Sequence, residues 1–399
     1  MKRIILMIAI LFAAGNATSQ TMEFREWLKA PAGELQQQKF ANKKLSKEEC
    51  MTAAGIVDSL WLTTTAERLW AKWSKLTISN DSIRLACACR TLGAIPEDGR
   101  SLYISMHGGG ECPKEVNDEQ WMNQIYLYQP AEGVYIAPRA PWNTSDLWHR
   151  KGLDELFEEL IQACVVFEGV NPNKVYLLGY SAGGDGVWRM APRMADKWAA
   201  ASMMAGHPGE ASQVNLMNLP FMIWMGENDH YYDRNILAKE KGEVMDSLSK
   251  ANPGKYIHQT NIIEGKGHWM DGVDAEALDW MAQYRRNPYP KKIVWRQEKV
   301  TREHFYWLSA PSDEIAQGKS VVASIDGNTI NIEHCDYSRL TIYLNDNMLD
   351  LDKKVTVRYK GKKIERKKLK RTIYNLYSTL NTRNDRSYAF PCVLEVVLD

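Results

Sequence analysis

The middle of the chain alternates short apolar runs with amphipathic stretches, and this alternation constrains the fold more than any other feature. Repeated β-α units of this kind are typical of a mostly parallel sheet that is flanked by helices. Turn sequences such as Asn171-Pro172-Asn173 separate the units. The predicted strands cover residues 83–90, 102–106, 134–137, 175–178, 200–204, 221–225 and 256–263. The predicted helices cover residues 146–167, 184–195, 235–248 and 274–285. We therefore expect an α/β domain over residues 79–290.

Three further segments surround this domain. Lys2 and Arg3 precede an apolar run that ends in small residues, which predicts a signal peptide over residues 1–19. Residues 20–78 have a helical pattern, and residues 291–399 contain short, regularly spaced apolar runs. We interpret the last segment as an all-β, sandwich-like accessory domain. The signal peptide predicts a secreted or periplasmic protein without a stable membrane anchor after cleavage.

Composition narrows the classes of protein to which the chain belongs. Among 399 residues, 50 Lys and Arg balance 49 Asp and Glu, and 45% of the residues are hydrophobic. This balance excludes a disordered chain and gives no overall field that would attract nucleic acid. The seven cysteines are an odd number, so at least one is free or pairs between chains. Cys335 and Cys392 could form a disulfide, and no metal-binding spacing is present.

The strongest local motif is Gly179-Tyr180-Ser181-Ala182-Gly183. It follows the apolar run at 175–178 and precedes a helical stretch, so it has the strand-turn-helix context of a nucleophile elbow. Glycines allow the tight turn that lifts a serine hydroxyl clear of the sheet. The motif therefore predicts Ser181 as a nucleophile.

A serine nucleophile needs a base, and the base needs a carboxylate that orients it. Asp229 follows the predicted strand at 221–225, and His268 follows the strand at 256–263. The chain order Ser181, Asp229, His268 is the order expected for this kind of site. The alternative acids and bases in the same segments are Asp233, Glu227, His258 and His230.

A fourth motif is His107-Gly108-Gly109-Gly110, directly after the predicted strand at 102–106. Glycines at this point let backbone N–H groups approach a developing oxyanion. We expect Gly108, Gly109, Gly110 and Ala182 to form an oxyanion hole. His107 is expected to support this loop, and substrate contact is its alternative role.

At these residues the sequence resembles the α/β-hydrolase superfamily. The HGGG turn, the Gly-x-Ser-x-Gly-Gly pattern through Gly184 and the export signal are similar to the branch of polyhydroxybutyrate depolymerases, feruloyl esterases and prolyl oligopeptidase-type enzymes. The resemblance covers the middle domain only. It implies an exported serine hydrolase that cleaves carboxylic esters through an acyl-enzyme, without a metal or organic cofactor. The alternatives are a prolyl oligopeptidase-type peptidase and a catalytically inactive carbohydrate-binding protein.

Aromatic residues give the main indication of the substrate, because aromatic rings beside a cleft stack on sugar or phenolic rings. The candidate substrate-binding residues are His107, Trp121, Trp148, His207 and Trp269. Ordinary core packing is an alternative role for each tryptophan, and a structural role is equally open to His207. The expected partner is a small-molecule or polymer-linked ester.

The segment from Lys353 to Arg371 contains 11 Lys or Arg and a single acid, Glu365. Its centre, Lys360-Gly361-Lys362, predicts a hairpin turn. A charged, solvated strand edge is the simplest interpretation. Binding of an anionic polysaccharide is the alternative, and no nucleic-acid motif accompanies the segment.

Overall fold

The computed structural model describes residues 19–31 and 33–398. The predicted signal peptide falls on residues 1–18, outside the described residues, apart from Ser19. The described chain begins with helix α1 (Ser19–Lys29) and the long helix α2 (Lys47–Trp73). Ser46 caps α2, because its hydroxyl accepts from the Glu49 N–H while the Glu49 carboxylate accepts from the Ser46 N–H.

An eight-stranded sheet forms the centre of the molecule. Its strands are β1 (Thr77–Ser79), β2 (Arg84–Leu92), β3 (Arg100–Met106), β4 (Gly133–Arg139), β5 (Val170–Tyr180), β6 (Ala200–Met204), β7 (Phe221–Gly226) and β8 (His258–Ile263). Their order is β1-β2-β4-β3-β5-β6-β7-β8, and only the pairs β1–β2 and β2–β4 are antiparallel. Strands β6 and β7 are buried along their whole length, since helices cover both faces of the sheet.

The sheet is accompanied by helices α3 (Lys114–Leu127), α4 (Leu153–Phe167), α5 (Ala182–Arg193), α6 (Arg234–Ala251) and α7 (Ala277–Ala282). This strand order, with a sharp turn between β5 and α5, is that of an α/β-hydrolase. The predicted fold class is confirmed. Helix α3 was not predicted, and β1 spans the predicted domain boundary at residue 78.

The C-terminal region contains two further sheets. Its strands are β9 (Lys292–Arg296), β10 (His304–Phe305), β11 (Leu308–Ser309), β12 (Ser320–Asp326), β13 (Thr329–Cys335), β14 (Arg339–Leu344), β15 (Lys354–Tyr359), β16 (Lys362–Lys368) and β17 (Cys392–Val397). One sheet has the order β16-β15-β13-β12-β9 and the other has the order β10-β11-β14-β17. Buried and less buried residues alternate along β12 and β14, and Trp295 stacks on Phe305 across the two sheets at 5.7 Å between ring centroids. The region is therefore sandwich-like, with one added helix, α8 (Ile373–Arg383).

Buried ion pairs connect the C-terminal region to the central sheet. Arg193 binds Asp154 at 2.6 Å within the central region, and Arg286 binds Asp385 of the C-terminal region at the same distance. We call the whole cluster the ion network. Its members are Asp154, Glu158, Arg193, Asp196, Lys197, Arg286, Arg302, Arg383 and Asp385.

All seven cysteines are free thiols in the structure, so Cys335 and Cys392 are not bridged in it. No helix in residues 19–31 and 33–398 combines the length and the apolarity that a membrane span requires.

Candidate active site

Ser181 lies in the sharp turn between β5 and α5. Its backbone has φ 56° and ψ −121°, a conformation that is costly for a residue with a side chain. The flanking glycines make the turn possible. A Cβ on Gly179 would lie 2.5 Å from the Gly183 carbonyl oxygen, and a Cβ on Gly183 would lie 2.0 Å from the Met106 carbonyl oxygen. The glycines of the motif are therefore required by close backbone packing around the serine.

Ser181, His268 and Asp229 form one continuous chain of hydrogen bonds. His268 Nε2 lies 2.9 Å from Ser181 Oγ, and His268 Nδ1 lies 2.7 Å from Asp229 Oδ2. Because the Asp229 carboxylate can only accept, Nδ1 carries the proton and Nε2 is free to accept the serine proton. Asp229 is 2% exposed, whereas the His268 side chain is 43% exposed. The chain thus runs from a buried carboxylate to an accessible hydroxyl.

The fold explains why these distant residues meet. β5, β7 and β8 are parallel, so their carboxyl ends and the loops that follow lie at one edge of the sheet. Contacts between loops then fix the histidine. The Tyr180 hydroxyl donates to the His268 carbonyl at 2.7 Å, and the Glu227 carboxylate accepts from the Gly265 N–H at 3.0 Å. Glu227 therefore links the loop that carries Asp229 to the loop that carries His268.

Within the described residues, the other alternative residues make no hydrogen bond to Ser181. Asp233 is exposed to solvent. His230 Nδ1 contacts the side-chain amide of Asn235 at 3.1 Å, and His258 Nε2 contacts Asp246 at 3.0 Å. Neither histidine has a hydrogen bond to the serine, so His268 is the base that the geometry supports.

The loop after β3 packs closely against Ser181. A Cβ on Gly108 would lie 3.1 Å from Ser181 Cβ, which shows how closely the backbone approaches. The N–H of Gly110 donates to Asn117 Oδ1 at 3.0 Å, and the Asn117 amide donates back to the Gly110 carbonyl. The prediction that Gly110 contributes to the oxyanion hole is therefore wrong, because its N–H already donates to Asn117. The N–H groups of Gly108, Gly109 and Ala182 have no acceptor within the described residues.

His107 and Trp148 lie beneath this loop and are fully buried. His107 Nε2 accepts from the Ala140 N–H at 3.0 Å, so Nδ1 carries the proton and donates to the Gly108 carbonyl at 2.6 Å. Burial lowers the pKa of His107 to about 4, which keeps the ring neutral. The Trp148 indole donates to the His107 carbonyl at 3.0 Å. Substrate contact is therefore wrong as a role for Trp148 and for His107, and both residues support the glycine loop, as expected for His107.

An open cavity of about 690 Å³ adjoins Ser181, within the usual size range of small-molecule sites. One wall comes from α3, and Trp269, which is 51% exposed, stands beside His268 on the other side. The lining residues are Gly108, Gly109, Gly110, Glu111, Cys112, Val116, Gln120, Asn123, Gln124, Leu127, Tyr180, Ser181, His268 and Trp269.

Trp121 and His207 do not line this cavity. The Trp121 indole donates to the Ala137 carbonyl at 2.7 Å, which holds the ring against the sheet. The His207 N–H donates to Asp185, and its Nδ1 accepts from the Gly209 N–H. Of the five residues predicted to bind substrate, only Trp269 faces the cavity.

Two functional features were missed in the sequence, namely the position of Asn117 under the glycine loop and the contribution of α3 to the cavity wall. Pro113 at the start of α3 is a helix-start signal that was available. No sequence signal shows that Asn117 reaches back to Gly110.

The chain is similar to several solved structures at low sequence identity. No model of a known protein family matches the chain, and no curated protein matches it in sequence. Among solved structures, a thermostable esterase is 17% identical with a TM-score of 0.41, and the match covers 53% of this chain but only 62% of that chain, less than two thirds of its length. Esterase PE8 is 18% identical with a TM-score of 0.33, and the match covers 50% of this chain and 98% of that chain. A fluorophosphonate-binding serine hydrolase of Staphylococcus aureus is 14% identical with a TM-score of 0.36, over 52% of this chain and 96% of that chain. The strand order and the turn at Ser181 are what define the fold of this chain.

Proposed function

We propose that the protein is a serine hydrolase that cleaves carboxylic esters through an acyl-enzyme. The observation that carries this proposal is the unbroken hydrogen-bonded chain from Asp229 through His268 to Ser181, which ends at an open cavity. A catalytically inactive binding protein would have no need of a strained serine aligned with a base.

In the first half of the reaction, Ser181 Oγ attacks the carbonyl carbon of the ester while His268 Nε2 takes the serine proton. The carbonyl oxygen becomes an oxyanion, which the unbonded N–H groups of Gly108, Gly109 and Ala182 are placed to stabilise. The tetrahedral intermediate then breaks its bond to the alcohol oxygen, and His268 gives the proton to that oxygen. The products of this half are a free alcohol and an ester of Ser181.

In the second half, His268 takes a proton from water, and the water oxygen attacks the acyl carbon. Collapse of the second intermediate breaks the bond to Ser181 Oγ, which recovers its proton from His268. Asp229 holds the ring in the reactive tautomer and stabilises the imidazolium in both halves. Loss of one oxyanion donor typically costs 10²–10³ in kcat, roughly 2.7–4 kcal/mol, so the glycine loop contributes strongly to the rate.

The cavity wall favours an uncharged, polar ester. Gln120 and Asn123 present amide groups on the exposed face of α3, next to the apolar side chains of Val116 and Leu127. Glu111 is the one acid among the lining residues, and none of the described lining residues is Lys or Arg. A substrate carboxylate would therefore find no cation beside Ser181, whereas hydroxyl groups would find hydrogen-bond partners.

The decisive test compares Ser181→Ala with the matched control Ser247→Ala on the exposed face of α6. Removal of the nucleophile is expected to lower kcat for short-chain nitrophenyl esters by about 10⁶-fold, as for other serine triads. It should also abolish labelling by a fluorophosphonate probe, while the control keeps both properties. If Ser181→Ala is still labelled and active, the proposal is wrong.

A peptidase is the alternative enzyme, since the same triad can cleave amides. Comparing kcat/KM for an acetyl or feruloyl ester with that for prolyl and alanyl nitroanilides separates the two. We expect faster turnover of the ester, and preference for a nitroanilide would favour the peptidase.

A further inference from the structure

The hairpin formed by β15 and β16 has a strongly basic surface, and we call it the basic hairpin (residues 354–368). β16 is the outermost strand of the five-stranded sheet, and all but one of its residues are exposed. Lys360 and Gly361 form the two-residue turn, with φ of 48° and 80°. Two successive positive φ angles are typical of a type I′ turn, which matches the twist of the strands and fixes their register.

That register places most of the charge on one face. Val355 and Val357 are buried, so their neighbours Lys354, Thr356 and Arg358 point to the opposite, outer face. The residues directly across the hairpin from these three are Lys368, Arg366 and Lys363. The outer face therefore carries five cationic side chains in three successive pairs. With about 6.7 Å between every second residue of a strand, the pairs extend over roughly 13 Å.

This arrangement opposes the stability of the hairpin. Lys354 lies directly opposite Lys368, and Arg358 lies directly opposite Lys363. Like charges in directly opposite positions destabilise a sheet. At the ends of the basic segment, Lys353 pairs with Asp350 and Arg371 pairs with Asp346. Within the described residues, none of the five outer-face cations has a carboxylate within ion-pair distance, so their charge is left for a partner outside the chain.

We propose that the outer face of the basic hairpin binds an acidic polysaccharide. A row of exposed cations along an outermost strand, even with the shift of register between Val357 and Arg358, is complementary to a linear polymer with repeated carboxylate or sulfate groups. Ile364, at the bulge in β16, is the one exposed large apolar residue of the basic hairpin, which is too little apolar area to enter a lipid surface. The six outer-face residues include no aromatic, Asn or Gln side chain to stack on or read a base. The inference does not depend on the proposed hydrolase activity, because it uses no residue of the catalytic site.

The test measures binding of the full chain to immobilised polygalacturonate and dextran sulfate, with uncharged dextran as the neutral polymer. We compare wild type with the variant Lys363→Gln/Arg366→Gln/Lys368→Gln. The matched control is Lys75→Gln/Lys239→Gln/Lys250→Gln, which removes the same charge from exposed positions elsewhere. We expect the hairpin variant to bind at least tenfold more weakly to an acidic polymer, and the control to bind within twofold of wild type. Wild-type affinity should fall between 50 and 200 mM salt, since screening weakens exposed ionic contacts.

A second readout separates loss of binding from loss of folding. Because the hairpin variant removes like-charge repulsion, its thermal midpoint should equal or exceed that of wild type. Its hydrolysis of a small nitrophenyl ester should be unchanged. The proposal is overturned if the hairpin variant and the control bind acidic polymers equally. Tighter binding of wild type to duplex DNA or to phosphatidylserine vesicles than to either acidic polysaccharide would also overturn it.

Discussion

The molecule contains two clusters of charged and polar groups that are built in opposite ways. In the ion network, Arg193 and Asp154 are both 3% exposed in their side chains, and each has its charge paired inside the protein. The second cluster is the hydrogen-bonded chain from Asp229 through His268 to Ser181, which we propose to be catalytic and call the catalytic chain. Its Asp229 is buried, whereas the His268 side chain is 43% exposed and Ser181 faces the cavity. The ion network is closed, whereas the catalytic chain has one open end.

This difference determines whether a cluster contributes to stability or to turnover. A buried ion pair adds little net stability, but loss of one partner is costly because the other charge stays buried. The ion network therefore fixes how the C-terminal region sits on the central sheet. The open end of the catalytic chain leaves the Ser181 hydroxyl and the N–H groups of Gly108, Gly109 and Ala182 for a substrate. A substitution in one cluster should thus change stability, and a substitution in the other should change turnover.

The largest expected effect is that of Asp229→Asn. The substitution keeps the shape of the side chain but favours the wrong tautomer of His268, which lowers kcat by about 10⁴-fold in triads of this kind. The thermal midpoint should change little. Measuring kcat and the midpoint of both Asp229→Asn and Asp233→Asn tests the assignment, because Asp233 is the exposed acid four residues further on. If Asp233→Asn is the inactive variant, Asp229 is not the acid of the triad.

For Asp385→Ala in the ion network, we expect a loss of stability with little change in kcat. The substitution leaves the Arg286 guanidinium, 2% exposed, without its carboxylate, and such a loss typically costs about 3–5 kcal/mol in the free energy of unfolding. Urea denaturation measures this cost, and kcat of the folded fraction should stay near that of wild type.

The control for this variant is Asp313→Ala, which breaks an exposed ion pair with Arg339 and should hardly change stability. Asp385→Asn is a milder second variant, in case Asp385→Ala does not fold. A fall in kcat as large as that of Asp229→Asn, without a loss of stability, would mean that the two clusters are not separate in function.

The sequence predicted those parts of the molecule that depend on order along the chain. All seven predicted strands overlap strands of the eight-stranded sheet. The motifs at Ser181, Asp229 and His268 each follow a strand, and parallel strands bring their carboxyl ends to one edge. Local pattern and topology were enough to place these three residues near each other.

Features that depend on contacts through space could not be predicted. Helix α3 has a polar face because that face lines the cavity, so the apolar periodicity that marks a helix is weak there. Trp148 and Trp269 are the same residue type in similar loops, yet one is fully buried and the other is half exposed. The bond from Asn117 to Gly110 joins a helix to a loop, and it removes one donor from the predicted oxyanion hole.

The smallest expected effect concerns pH, and it separates the glycine loop beside Ser181 from the ion network by the pH range in which each loses stability. Burial lowers the pKa of His107 to about 4, so between pH 6.5 and 4 the unfolded chain binds a proton that the folded state excludes. Stability therefore falls as pH falls through this range. Burial raises the pKa of Glu158, but the charges of Lys197 and Arg302 outweigh it and lower the value to about 2. The stability from Glu158 is present above about pH 4.5 and is lost only as pH falls toward 2.

Urea denaturation at several pH values from 7 to 3 tests this separation with His107→Gln and Glu158→Gln. Each titrating group changes the slope of unfolding free energy against pH by at most about 1.4 kcal/mol per pH unit. The His107 variant should have a shallower slope than wild type between pH 6.5 and 4.5. The slope of the Glu158 variant should differ from that of wild type only below about pH 4.5. Some slope should remain in the His107 variant, because burial also lowers the pKa of His149 to about 4 and that of His304 to about 3. A wild-type slope above pH 4.5 in His107→Gln would show that the ring beneath the glycine loop is not held neutral by burial.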